Sequence, residues 1–175
     1  MPIPPPLLKG VRREYDIDYL FYRNPQARPD ANERTLLGLA LPPWQRQEVW
    51  TVEQSRRFVE SQFLGLGCGY YVITSSDWFD NGDLKPMSAW LLDGQQRISA
   101  LRDFLIGNMT VFGDVLFSGM SLAEQLRFKR ISFPCFELDY TDNEDALKEL
   151  YDRLNFGGTP HSPEQRVLPA STPIQ

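Results

Sequence analysis

The sequence predicts a small α+β domain, a short mixed sheet flanked by about four helices. Two observations carry that reading. Short apolar runs of strand length alternate with amphipathic stretches of about ten residues. Two of those stretches open on a capping pair, Thr51 with Gln54 and Ser121 with Glu124. At 175 residues, with 42% hydrophobic and 13% aromatic side chains, the chain is long enough to bury one compact core.

In chain order, residues 1–34 read as a proline- and arginine-containing lead-in, irregular through residue 11 and loop-like at 24–34 (Asn24, Pro25, Pro29, Asp30, Asn32). The domain proper is expected over 35–161, and 162–175 as a polar tail. Leu36 to Leu41 predicts a short apolar strand. A helix starts at Thr51, with Val52, Phe58, Val59, Phe63 and Leu66 on one face, and ends at Gly65-Leu66-Gly67. Tyr70 to Thr74 and Ser88 to Leu92 predict strands on either side of a loop at 75–87. A second helix runs from about Gln95 to Ile106, with Ile98, Leu101 and Leu105 inward, and stops at Gly107-Asn108. Then follow a short hairpin around Gly113-Asp114, a helix from Ser121 through Phe128 and a strand from Ser132 to Leu138. A last helix from Asn143 to Leu154 carries Ala146, Leu147, Leu150, Tyr151 and Leu154 as its apolar stripe.

Composition narrows the function classes. No apolar run approaches the roughly 20 residues of a membrane span, and the proline-rich N-terminus lacks the pattern of a signal sequence, which predicts a cytoplasmic protein. Cys68 and Cys135 lack metal-ligand spacing and are expected to be reduced and buried. The net charge of −5 argues against nonspecific nucleic-acid binding by bulk charge. Fourteen of the eighteen basic residues are Arg, which suits local, bidentate phosphate contacts. There is no G-x-x-x-x-G-K-[ST] phosphate loop, no His/Cys cluster for zinc and no Gly-x-Ser-x-Gly elbow.

The chemistry concentrates at Leu91-Leu92-Asp93-Gly94-Gln95-Gln96-Arg97. An acid, two amides and a guanidinium surround a helix start, where backbone N–H groups and the macrodipole favour an anion. Asp93 suits a general base or a metal ligand, Gly94 a close backbone approach, Gln95 and Gln96 phosphate or base-edge contacts, and Arg97 charge neutralisation. The competing reading makes Asp93 only an N-cap, with Gln96 at the capping-box position. At Trp44-Gln45-Arg46, Trp44 is either a base-stacking surface beside a phosphate-binding Arg46 or a core anchor. Asn155-Phe156-Gly157-Gly158-Thr159-Pro160-His161 is either a helix C-cap or a glycine-lined rim. His161 is the one histidine that any imidazole chemistry would need.

Three segments together, Trp44-Gln45-Arg46-x-x-Val49-Trp50, Leu91 through Leu101, and Leu154-Asn155-Phe156-Gly157-Gly158-Thr159-Pro160, resemble the ParB/sulfiredoxin superfamily. The nearest branch carries a D-G-Q-Q-R motif and is found at the N-terminus of GmrSD-type modification-dependent restriction enzymes. The resemblance, over roughly residues 35–165, implies a nucleoside-triphosphate site with Mg²⁺. Asp93, Gly94, Gln95, Gln96 and Arg97 would line it, Gln45 and Arg46 would lie near it, and Asn155 with Gly157 and Gly158 would close it. It implies two functions. One is a kinase moving the γ-phosphate of ATP or another NTP to a hydroxyl, foremost that of a hydroxymethylated DNA base, as in the predicted ParB-like kinases of phages. The other is an NTP-hydrolysing switch module of a restriction or anti-restriction system; a purely DNA-binding role is the third reading. No His-Asn-His nuclease pattern is present, so action through the triphosphate or a partner protein is expected. DNA would be met through a local surface of Arg12, Arg13, Arg23, Arg28, Arg34, Arg56 and Arg57.

Overall fold

The computed structural model describes residues 3, 6–7, 9–23 and 34–156. Its centre is a four-stranded mixed sheet in the order β1-β6-β4-β5, from Gly10–Arg13, Cys135–Leu138, Tyr71–Thr74 and Leu91–Asp93. β6 pairs antiparallel with β1 and parallel with β4, and β4 pairs antiparallel with β5. Side chains alternate across the sheet, and both faces are covered. Tyr71, Leu91 and Cys135 join the larger core, packed against α1 (Val52–Phe63) and α2 (Gln95–Leu105). Val72, Leu92 and Leu138 face the other way, into a smaller core closed by Leu147 and Leu150 of α4 (Glu144–Phe156). α3 (Leu122–Lys129) adds Phe128, which stacks on Phe63 with ring centroids 4.8 Å apart.

Both predicted capping boxes form. Thr51 Oγ1 accepts from the Gln54 amide at 3.2 Å while Gln54 Oε1 accepts from the Thr51 amide at 2.8 Å; Ser121 and Glu124 do the same at α3. On α1, Val59 and the flanking Phe58 and Phe63 are inward as expected, but Val52 and Leu66 are exposed.

The N-terminal segment differs from its reading as an irregular lead-in outside the domain. β1 forms the sheet edge, and beyond it Ile17 and Leu20 are fully buried. Every residue of β1 is exposed, so its place is set by backbone pairing with β6 and no apolar alternation announces it. The run Leu36 to Leu41 also differs from a single strand. It folds back as β2 (Thr35–Leu36) against β3 (Leu39–Ala40), with Leu37 and Gly38 in the left-handed region at φ 52° and 79°. That geometry is a tight hairpin turn, tolerated at Leu37 because Gly38 takes the second left-handed position.

The loop before β5 returns through two more left-handed residues, Met87 and Ala89. Thr74, 1% exposed, holds it: its hydroxyl donates to the Met87 carbonyl and accepts from the Trp90 amide at 2.8 Å. Thr74→Val keeps the shape but strands both backbone groups. We expect it to lower the unfolding free energy by about 2–4 kcal/mol, read as a lower urea midpoint with an unchanged slope.

Cys68 and Cys135 are buried and unpaired, as expected. Burial pushes each thiol up to about 12. The folded chain therefore keeps both protonated where the unfolded chain, ionising from about 8.5, does not. Stability from these groups is complete below that value and falls as pH rises from there towards 12. Ellman's reagent at pH 8 is expected to leave the folded protein unmodified and to titrate both thiols in urea.

Candidate functional site

β5 delivers Asp93 to the start of α2 through an irregularity in its pairing. Val72 lies opposite Asp93 and Ile73 opposite Leu91, so Leu92 is an extra residue bulged from the ladder. Gly94 follows at φ +104° and caps α2, with no side-chain hydrogen bond to the first turn. Asp93 is thus not the N-cap. It turns to Arg97, whose Nη2 donates to Asp93 Oδ2 at 2.6 Å. The close approach expected at Gly94 is made by the protein itself, since a Cβ there would stand 2.6 Å from Tyr71 Cβ. A Cβ at Gly69, in the left-handed region, would stand 2.9 Å from Arg97 Nη1. The two glycines leave the slot in which the guanidinium lies.

The second wall is the segment 42–50, which has no regular structure and is tied down on three sides. Arg34 Nη2 donates to the Gln45 carbonyl at 2.7 Å and to the Pro42 carbonyl at 3.3 Å. Gln96 Oε1 accepts from the amides of both Val49 and Trp50 at 3.0 Å, and Ser99 Oγ donates to Glu48 at 2.6 Å. Trp44 Nε1 reaches Glu144 of α4 at 2.8 Å, and its ring meets Tyr151 and Trp90 edge-on at 5.1 and 5.9 Å. The third wall is the end of α4, where Arg46 Nη2 donates to Asn155 Oδ1 at 3.5 Å and Asn155 Nδ2 to the Tyr151 carbonyl at 2.9 Å. Burial raises the Tyr151 phenol above its ordinary value, so it stays neutral.

Between these walls lies a cavity of about 250 Å³, lined by Gln45, Arg46, Trp50, Leu92, Asp93, Gly94, Gln95, Gln96, Arg97, Tyr151, Leu154 and Asn155. Eight of these were singled out from sequence: Gln45, Arg46, Asp93, Gly94, Gln95, Gln96, Arg97 and Asn155. Trp44 does not line the cavity and takes the core-anchor place. Trp50 is the tryptophan at the wall, with Tyr151 and Leu154, which sequence periodicity placed on an apolar stripe. Gly157, Gly158 and His161 lie outside the described residues. Gln96 lines the cavity, but its carbonyl is committed to the 42–50 segment.

Asp93 is the cavity's one carboxylate, and no group of three metal-ligating side chains occurs among the described residues. A single carboxylate, already paired with Arg97, could hold Mg²⁺ only together with phosphate oxygens and water. Five of the seven arginines put forward as a DNA surface have described side chains, and each has a local partner. Arg12 pairs with Glu14, Arg13 with Glu137, and Arg56 and Arg57 both with Glu53, at 2.7–3.0 Å. Arg34 holds backbone carbonyls. The Arg28 position and the Arg23 side chain lie outside the described residues.

The fold is a small α+β domain in which two arginines and one carboxylate share a cavity at the start of α2. The model of one family, the N-terminal domain of the GmrSD restriction endonuclease, matches residues 30–127, more than half of the chain. The protein belongs to that family. The match spans the 42–50 segment and the start of α2 and stops before α4. No curated protein and no solved structure matches the chain. Among the described residues, no helix is long and apolar enough to cross a membrane.

Proposed function

We propose that this protein is the nucleoside-triphosphate-binding and -hydrolysing module of a DNA restriction system, acting in the cytoplasm on DNA or through a partner protein. The observation that carries the reading is that Arg46, Arg97 and Asp93 line one cavity at the start of α2, where no side chain caps the helix. There, free first-turn amides and the helix dipole favour a phosphate, and the guanidinium groups offset its charge. Asp93 orients the attacking water or shares a phosphate-bound Mg²⁺, which when bound neutralises charge building on the phosphates. An arriving phosphate competes with Asp93 for Arg97, so binding frees the carboxylate for that role. Family membership supports the restriction setting and contact with DNA. The resemblance of the sequence to the ParB/sulfiredoxin superfamily is what suggests the triphosphate.

Transfer to a hydroxyl of a modified DNA base, the kinase reading, needs room for a second ligand. Incubation with γ-labelled ATP and Mg²⁺, with plain DNA, with hydroxymethylpyrimidine DNA and with none, separates the two. Free phosphate in every tube is the expected result. Label on the modified DNA establishes a kinase, and label left on ATP throughout removes both enzyme readings.

A further inference from the structure

Two polar atoms of residues that line the cavity have no hydrogen-bond partner among the described residues. Gln45 is 5% exposed, and its Oε1 is sealed from water and from every donor among the described residues. Gln96 Nε2 is sealed and unpaired in the same way, although the Oε1 of that amide accepts twice. Neither atom stabilises the free protein: a buried donor or acceptor without a partner is a cost. The Gln45 backbone is nonetheless pinned, by Arg34 at its carbonyl and by its own amide donating to the Pro42 carbonyl at 2.9 Å.

The polarity of the two atoms restricts what would satisfy them. Phosphate oxygens only accept, so they repel Gln45 Oε1, whose partner must bring an N–H or O–H. Gln96 Nε2 needs an acceptor, and its orientation is fixed because turning the amide over would set an NH₂ against two backbone N–H groups. Trp50, joined through its backbone to Gln96, adds an aromatic surface to the same cavity. A planar heterocycle with a donor on its edge meets the requirements of Gln45 and Trp50, while Gln96 Nε2, sealed and held by the two bonds to its Oε1, stays in the wall behind them. We infer that Gln45 and Trp50 form a nucleobase-reading subsite, with the phosphates left to the start of α2 and Arg97. The inference rests on the nucleotide reading above and adds which wall takes the base. The terminal torsion of glutamine is soft, so Gln45 turns towards the cavity with little strain.

The test is calorimetric titration of the full chain with Mg²⁺ and, separately, ATP, GTP, CTP, UTP and inorganic tripolyphosphate, repeated on Gln45→Met. At least one nucleotide is expected to bind about tenfold or more tighter than tripolyphosphate. Gln45→Met is expected to reduce that nucleotide to the tripolyphosphate level, leave tripolyphosphate binding as it was, and hold or raise the thermal midpoint. Equal binding of nucleotides and tripolyphosphate by the natural chain overturns the subsite and leaves the phosphate site standing. So does a Gln45→Met protein that keeps its base preference, or one that unfolds, because deleting an unpaired acceptor has no reason to destabilise. If tripolyphosphate and all four nucleotides fail to bind, the nucleotide reading itself falls.

Discussion

Gly94→Ala is expected to destabilise the domain by about 4 kcal/mol. The residue sits at φ +104°, where an L-residue is strained, and its Cβ would lie 2.6 Å from Tyr71 Cβ and 3.2 Å from Tyr71 Cα. Tyr71 cannot retreat: it is 1% exposed, in a strand held by neighbours on both sides. Backbone strain contributes about 1–3 kcal/mol and overpacking a further 1–3 or so. The sum, about 4 kcal/mol, is a large share of the roughly 5–15 kcal/mol that hold a domain together. Urea unfolding followed by tryptophan fluorescence checks it. A midpoint within about 1 kcal/mol of the natural chain would mean that β4 and α2 are packed less closely than the structure shows.

Asp93→Asn is expected to do the reverse, removing activity and sparing the fold. If Asp93 orients water or holds the phosphate-bound metal, triphosphate hydrolysis falls by about 10²–10⁴-fold. The ion pair with Arg97 is only a quarter exposed on both sides, so its loss costs about 1–3 kcal/mol, less than what holds a domain together. Steady-state phosphate release beside a melting curve separates the outcomes. Full hydrolysis with an unchanged melt would remove Asp93 from the chemistry, and a collapsed melt would make it a structural residue. Arg97→Lys serves as companion, because an ammonium does not reproduce the guanidinium fork in the slot beside Gly69.

The helices were legible from sequence because their signals are local. Thr51 with Gln54 and Ser121 with Glu124 mark starts within four residues, and Gly107 marks the end of α2. β1 was not legible, since an exposed edge strand is specified by its partner's backbone, 122 residues away in sequence for the Arg13 to Cys135 pairing, and not by its own side chains. At the site, the residue types were visible but their division of labour was not. Gln96 reads as a ligand contact until Val49 and Trp50 are seen bonded to its carbonyl. Asp93 stays open between an N-cap and a ligand group until its pairing opposite Val72 and the cap at Gly94 are seen. In each case a neighbour distant in sequence decides.

The two amides that converge on Gln96 Oε1 have a practical value. Val49 itself is about half exposed, yet its N–H and that of Trp50 are shielded by one side chain in the first turn of α2. Their protons therefore exchange with solvent at a rate governed by that single glutamine, and both resonances should move together when anything settles at the helix start. A two-dimensional amide spectrum thus contains a built-in occupancy gauge for the cavity, readable at two peaks before any ligand has been identified.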